Sequence, residues 1–206
     1  SGQLLPTTAP NSLGEYNSTL EEARADLFAL YYLADNKLVD LGILPDNEAY
    51  KAEFDSYIRN GLFTQFSRVE LGKTNTEAHM QNRKLIAEWC YEKGAANNVI
   101  EKKSRDGKTY FVVNDYEALR GLFGELLAEI QRIKSEGDFK AGKALVEKYA
   151  IHIDYDLHKE VRERYAELQL KPYGGFVNPD IVPVEKNGKI VDYAVVPCES
   201  FLKQQL

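Results

Sequence analysis

Apolar residues in this chain recur mostly at steps of three and four, the spacing that lines one face of an α-helix. The first such run is Leu20, Ala23, Leu27, Leu30, Tyr31 and Ala34. Ser18 and Glu21 precede most of it at the spacing of a capping box, where the hydroxyl accepts a bond from the backbone N–H at Glu21 and the glutamate reaches back. The pattern predicts a helix from Ser18 to about Ala34, broken by Asp35-Asn36. Residues 38–44 read as a short apolar connection ended by Pro45, and residues 47–62 as a helix with Tyr50, Phe54, Tyr57 and Ile58 inward. Residues 63–71 fit neither the helical nor the strand period. Asn75 or Thr76 is expected to cap a helix running to about Lys93, where Gly94 stops it. Asn114 or Asp115 opens a long helix through Lys134, Gly137-Asp138 opens another to about Ala150, and Asp154 or Asp156 a last one ending near Leu170.

In two places the period drops to two. Residues 99–103 and 109–113 flank Arg105-Asp106-Gly107, a turn signal that makes them a hairpin inserted among helices. Pro172 and Gly174-Gly175 end the helical region, and beyond them 176–185 and 189–196 flank Asn187-Gly188, a dipeptide suited to a type I′ turn. A lone hairpin is marginal in water, so residues 172–206 read as a piece of sheet whose remainder is not in this chain. Residues 1–17, with Pro6, Pro10 and Gly14, show no apolar period and are expected to be an irregular lead-in. The fold expected is therefore mainly α, in the α+β sense: a helical bundle over 1–171 with a small hairpin insert, and a C-terminal β appendage over 172–206.

Composition narrows the function classes. The 206 residues are 44% hydrophobic and 28% charged, which excludes a disordered or fibrous chain. The longest uncharged apolar runs, such as 27–34, fall far short of the ~20 residues a membrane-spanning helix needs, so no membrane partner is expected. Net charge is −6 and the densest basic run is only 102–105, which argues against nucleic acid as a partner. Cys90 and Cys198 lie far apart and form no metal-binding or disulfide pattern. The opening Ser1-Gly2-Gln3 has neither an initiating Met nor a leader pattern, which leaves localisation unread, with the cytoplasm favoured.

Four residues stand out for chemistry. Glu22 and Asp26, four apart on the first predicted helix, share a face that continues through Ala29 and Leu33. Like charges at that spacing repel. They call for a metal ion, Arg24, an arginine from elsewhere, or plain exposure near a helix N-terminus, where the macrodipole favours acids. His79 and Arg83, one turn apart near the start of a later helix, make a cationic step able to hold a carboxylate or an oxyanion, or to sit idle at the surface. His152 and His158 match no zinc spacing and read as structural.

Longer strings carry a resemblance. Ser1-Gly-Gln-Leu-Leu-Pro, followed by 19–32, resembles the dipeptidyl peptidase III family of zinc metallopeptidases, whose E-E-x-R-A-[ED] motif stands complete as Glu21-Glu22-Ala23-Arg24-Ala25-Asp26. Residues 77–83 resemble the family's A-H-M-Q-x-R segment and 130–138 another of its stretches; the similarity is to the bacterial, Bacteroides-like branch. The resemblance implies that Glu22 is the third zinc ligand, that Asp26 supports the site from behind it, and that His79 and Arg83 line the substrate cleft, the histidine stabilising the transition state. It implies zinc in the parent enzyme and short peptides as substrates, with dipeptides released from their N-termini.

No H-E-x-x-G-H, the family's source of two zinc-binding histidines and the general base, occurs in these residues. The chain is thus expected to be a C-terminal piece whose partner is the missing N-terminal part, binding no zinc and inactive by itself. The competing expectation is a non-catalytic helical interaction module derived from the same family.

Overall fold

The computed structural model describes residues 8–169, 178–197 and 200. The opening string 1–6, the predicted stops at Pro172 and Gly174-Gly175, Phe176 and Cys198 lie outside the described residues. The fold is mainly α, with two small antiparallel sheets of two strands each among the described residues. The helices are α1 (Ala9–Leu13), α2 (Asn17–Leu33), α3 (Asn36–Asp40), α4 (Ala49–Leu62), α5 (Ala78–Lys93), α6 (Tyr116–Glu136), α7 (Phe139–Val146) and α8 (Tyr155–Glu167). Strands β1 (Ile100–Arg105) and β2 (Lys108–Val113) form the inserted hairpin, and β3 (Asp180–Lys186) and β4 (Lys189–Val196) a second one. None of the described helices is long and apolar enough to cross a membrane.

The chain divides into two compact units, Ser1–Glu167 and Leu168–Leu206. Within the first, α2 packs against α5 and α6, and α4 against α5. The apolar stripes meet in one core. Leu20, Ala23 and Leu27 of α2, Phe54 and Ile58 of α4, Leu85, Ile86 and Ala87 of α5, and Leu119, Phe123, Leu126 and Ile130 of α6 are fully buried. Phe54 and Phe123 meet edge to face at 5.0 Å, the arrangement their ring quadrupoles favour. In the second unit the β3–β4 ribbon turns at Asn187 and Gly188, both at positive φ as a type I′ turn requires. Its apolar residues, Ile181, Tyr193 and Val195 among them, are exposed.

Several boundaries differ from those the pattern predicts. Residues 9–16 are not an irregular lead-in: α1 and a 3₁₀ turn, Gly14–Tyr16, run directly into α2. Pro10 sits in the first turn of α1, where the missing N–H costs nothing. Because α2 is entered from this turn, Tyr16 takes its N-cap place with no side-chain cap, and the Ser18–Glu21 capping box does not form. Glu21 instead bonds Arg24 and pairs with Lys134 of α6 at 2.9 Å. The short connection after α2 contains α3, capped by Asp35, whose carboxylate accepts from the Lys37 N–H. Helix α5 is capped by Glu77, which accepts from the N–H groups of His79 and Met80, leaving Asn75 for another task. The caps at Asp115, Asp138 and Asp154 stand where the sequence puts them, whereas Gly137, expected to open the next helix, instead ends α6 at positive φ, the helix running to Glu136, two residues past Lys134. The last helix stops at Glu167, earlier than Leu170.

The central helix α5 is positioned by polar contacts as well as by burial. After α7 a π turn, Glu147–Ile151, ends the helical run with carbonyls that lack intrahelical partners. Lys84 Nζ donates to the Tyr149 carbonyl at 3.2 Å, and Asn75 donates to those of Ala150 and Ile151. Gln81 bonds the Asn75 carbonyl and accepts from Thr19 of α2. On the other side, α4 approaches so closely at Gly61 that a Cβ there would overlap the Arg83 carbonyl oxygen and the Ala87 methyl.

Two consequences can be measured. Gly61→Ala forces α4 and α5 apart and is expected to cost ~1–3 kcal/mol in chemical unfolding. Gly121→Ala in α6, where a Cβ meets nothing within 4 Å, is expected to be neutral or to stabilise by up to ~1 kcal/mol. Equal effects would contradict the close approach. The Glu21 carboxyl is pulled from its usual 4.5 down to about 2, first by Arg24 and then by Lys134. A carboxyl depressed in the fold stabilises fully above its unfolded value, and that contribution is lost as pH falls toward the folded one. The stability gap between wild type and Glu21→Gln should therefore be present above about pH 4.5 and close toward about pH 2. With the side chain 44% exposed the gap is small, at most ~1 kcal/mol. A gap independent of pH would contradict the pairing.

Candidate functional site

The four residues singled out by the sequence lie on two helices that pack against each other, Glu22 and Asp26 on α2 and His79 and Arg83 on α5. The structure brings Glu22 and His79 together, with Oε2 and Nδ1 3.1 Å apart. Neither is deeply buried: the imidazole is 59% exposed and the carboxylate 35%. Asp26, one turn further along α2, faces α4, where the Tyr57 hydroxyl donates to its Oδ2 at 2.8 Å. The two carboxylates are thus partnered separately, and neither depends on a cation shared between them. Arg24, one candidate for that cation, is engaged by Glu21. The stripe beyond them is only partly covered, since Ala29 is exposed and Leu33 half-buried.

Arg83 is half-buried, and its guanidinium has no hydrogen-bond or ion-pair partner among the described residues. Its charge is nonetheless felt by Tyr57. Burial raises that phenol well above its usual value, the Asp26 carboxylate adds to the rise, and Arg83 opposes it. The phenol is therefore a donor throughout the ordinary pH range.

The other titratable candidates fall outside this surface. His158 is buried beside Phe66, with Nε2 3.0 Å from the Val69 carbonyl, a structural placement. His152 is exposed at the end of the π turn. Cys90 is fully buried in the core, and burial pushes its thiol up, away from nucleophilic reactivity.

A zinc site needs three protein ligands and an open position. Among the described residues no group of three or more His, Cys, Asp or Glu side chains converges to hold a metal ion. The donors among the described residues do not complete such a centre.

Two residues of this surface escaped the sequence reading. Tyr57 reads as one more inward aromatic of α4, yet it carries the Asp26 bond. Asn82 lies inside the 77–83 segment and is 1% exposed with its amide nitrogen unpartnered. A polar residue at a core position of α5 was the available signal.

Known proteins similar to this chain include a family model, a curated protein and a solved structure. The model of Peptidase family M49 matches residues 6–197. The plant protein Nudix hydrolase 3 of Arabidopsis thaliana is 32% identical over 143 residues, which are 69% of this chain and 16% of that protein. The solved structure of DPP III from Caldithrix abyssi superposes with a TM-score of 0.55 at 22% identity, covering 78% of this chain and 27% of that one, a likeness of fold. The chain thus spans well under a third of the length of either relative. The match to the family model runs through both helices that carry the Glu22–His79 pair and reaches the second hairpin, and on that match the chain belongs to peptidase family M49.

Proposed function

We propose that this chain is the part of a zinc-dependent dipeptidyl peptidase that contributes one metal ligand and the substrate-facing side of a cleft. The observation that carries the reading is the Glu22–His79 contact at 3.1 Å, which joins the two motif-bearing helices at one accessible surface. Glu22 would be the carboxylate ligand, with the remaining two ligands and the general base supplied from outside the described residues. Zinc, when bound, lowers the pKa of its water and polarises the scissile carbonyl.

The chain's own side chains have distinct tasks in this reading. Glu22 would bring a pair of acceptor oxygens, carried on a helix, to a cation. Asp26, anchored through Oδ2 to Tyr57, keeps Oδ1 for a neighbouring donor. His79, largely exposed, presents a ring N–H to a developing oxyanion once Glu22 turns to a metal. Arg83 has its whole fork of donors available for a carbonyl or carboxylate of a short peptide. The second hairpin, apolar and exposed on both strands, would join a sheet of the other lobe of the parent protein.

The test uses the full-length zinc protein. Glu22→Ala is expected to strip the metal and abolish dipeptide release. Glu21→Ala, which loses only the pairs to Arg24 and Lys134, should keep stoichiometric zinc and near-normal turnover. Stoichiometric zinc and normal turnover in Glu22→Ala would overturn the reading. The 206-residue chain alone should take up zinc no better than millimolar and without stoichiometry in calorimetry, because one arm lacks the chelate advantage. A tight one-to-one site would contradict the single-ligand assignment.

A further inference from the structure

We propose that Tyr57 is a positioning residue for Asp26 and that Asn82, buried behind it, holds Tyr57 in that role. The inference rests on the reading above only in what Asp26 is for. The hydrogen-bond chain itself follows from geometry.

Tyr57 projects from α4 and is 8% exposed. Its hydroxyl oxygen lies 2.8 Å from Asp26 Oδ2 and 3.4 Å from Asn82 Oδ1. A phenol has one proton to give, and an ionised carboxylate can only accept. The shorter, charge-assisted bond to Asp26 takes that proton. The Asn82 oxygen then faces a phenolic oxygen that has nothing left to donate, while its own Nδ2 is buried without a partner. Two polar atoms are stranded. Turning the amide half a turn about its last torsion places an N–H against the Tyr57 oxygen and leaves only one stranded atom. A buried polar group without a partner costs ~1–3 kcal/mol, so the turned amide is the stable one.

The result is a directed chain, Asn82 N–H to Tyr57 O–H to the Asp26 carboxylate, in which every donor points toward Asp26. It crosses three helices, α5, α4 and α2. Its anchor is firm, because Asn82 is 1% exposed and directly precedes Arg83, whose carbonyl Gly61 of α4 approaches closely. The chain fixes Oδ2 of Asp26 and with it the plane of the carboxylate. Among the described residues Oδ1 accepts no hydrogen bond and is not one of the buried atoms left without a partner, so it remains available as an acceptor. An oriented carboxylate oxygen beside a metal ligand is what the second N–H of a metal-bound imidazole needs, and losing such a partner weakens metal binding ~10- to 100-fold.

Two measurements test this. In the 206-residue chain, proton NMR should show a slowly exchanging phenolic proton that disappears in Tyr57→Phe and shifts in Asp26→Asn and Asn82→Leu. Absence of that signal in the wild type overturns the chain. In the full-length zinc protein, Tyr57→Phe should lose zinc to a chelator about tenfold faster than wild type. Tyr50→Phe is the control: it removes a hydroxyl from an equally buried tyrosine of α4, 8% exposed, that makes no bond to Asp26, and should lose zinc at the wild-type rate. If both variants speed zinc loss equally, Tyr57 merely packs, and the proposal fails. If neither does while Glu22→Ala empties the site, the proposal fails and the metal assignment stands. Zinc retained by Glu22→Ala defeats the assignment instead. Should Tyr57→Phe not fold, Asn82→Leu carries the same comparison, with faster zinc loss expected and an unchanged rate overturning the proposal.

Discussion

The placement of α5 is the constraint on which the rest depends. Burial of apolar surface is non-directional and leaves a helix free to slide or rotate against its neighbours by small amounts. Helix α5 is denied that freedom by polar groups on its inner face. Lys84, 4% exposed, reaches a carbonyl of the π turn and the Glu88 carboxylate, so the buried ammonium is both paired and hydrogen-bonded. Gln81 links α2 to the loop before α5, and Gly61 lets α4 come within backbone contact. Each contact tolerates little displacement, because breaking any of them strands a buried polar atom or opens a gap in the core.

The candidate site inherits that precision. His79 and Arg83 belong to the same helix as Gln81, Asn82 and Lys84, so the polar contacts that fix its inner face also fix where its outer face points. Glu22 and Asp26 stand on α2, tied to α5 by Thr19–Gln81 and to α6 by Glu21–Lys134. The Glu21–Glu22 neighbours show the division of labour. About 100° apart around the helix, one is spent on cohesion between α2 and α6 and the other is presented to His79.

How much of this the sequence disclosed depended on the range of the interaction. The helices of the core and the Asp-Gly hairpin were legible because apolar period and turn chemistry are local signals, and Asp115, Gly137 and Asp138 mark their boundaries within a turn. The Ser18–Glu21 cap was misread because a capping box presumes an open helix end, and Leu13 and Tyr16 bury themselves by winding the preceding residues into helical turns. Asn75 resembled a cap because its type favours that position; its amide goes to a carbonyl 75 residues away. At the site, Glu22, Asp26, His79 and Arg83 were named from motif and spacing, whereas the Glu22–His79 contact and the Tyr57–Asp26 bond join residues 57 and 31 positions apart in the chain and cannot be seen in any local window.

In the proposed reading this chain gives a metal centre one carboxylate, from the face of α2 presented to His79. Anomalous diffraction at the zinc edge from the full-length protein tests it most directly. The account predicts a zinc peak ~2.0–2.2 Å from a Glu22 carboxylate oxygen, its other protein ligands lying outside the residues described here, with Glu21 still turned to Arg24 and Lys134. A zinc ion whose coordination sphere takes nothing from α2 would contradict it.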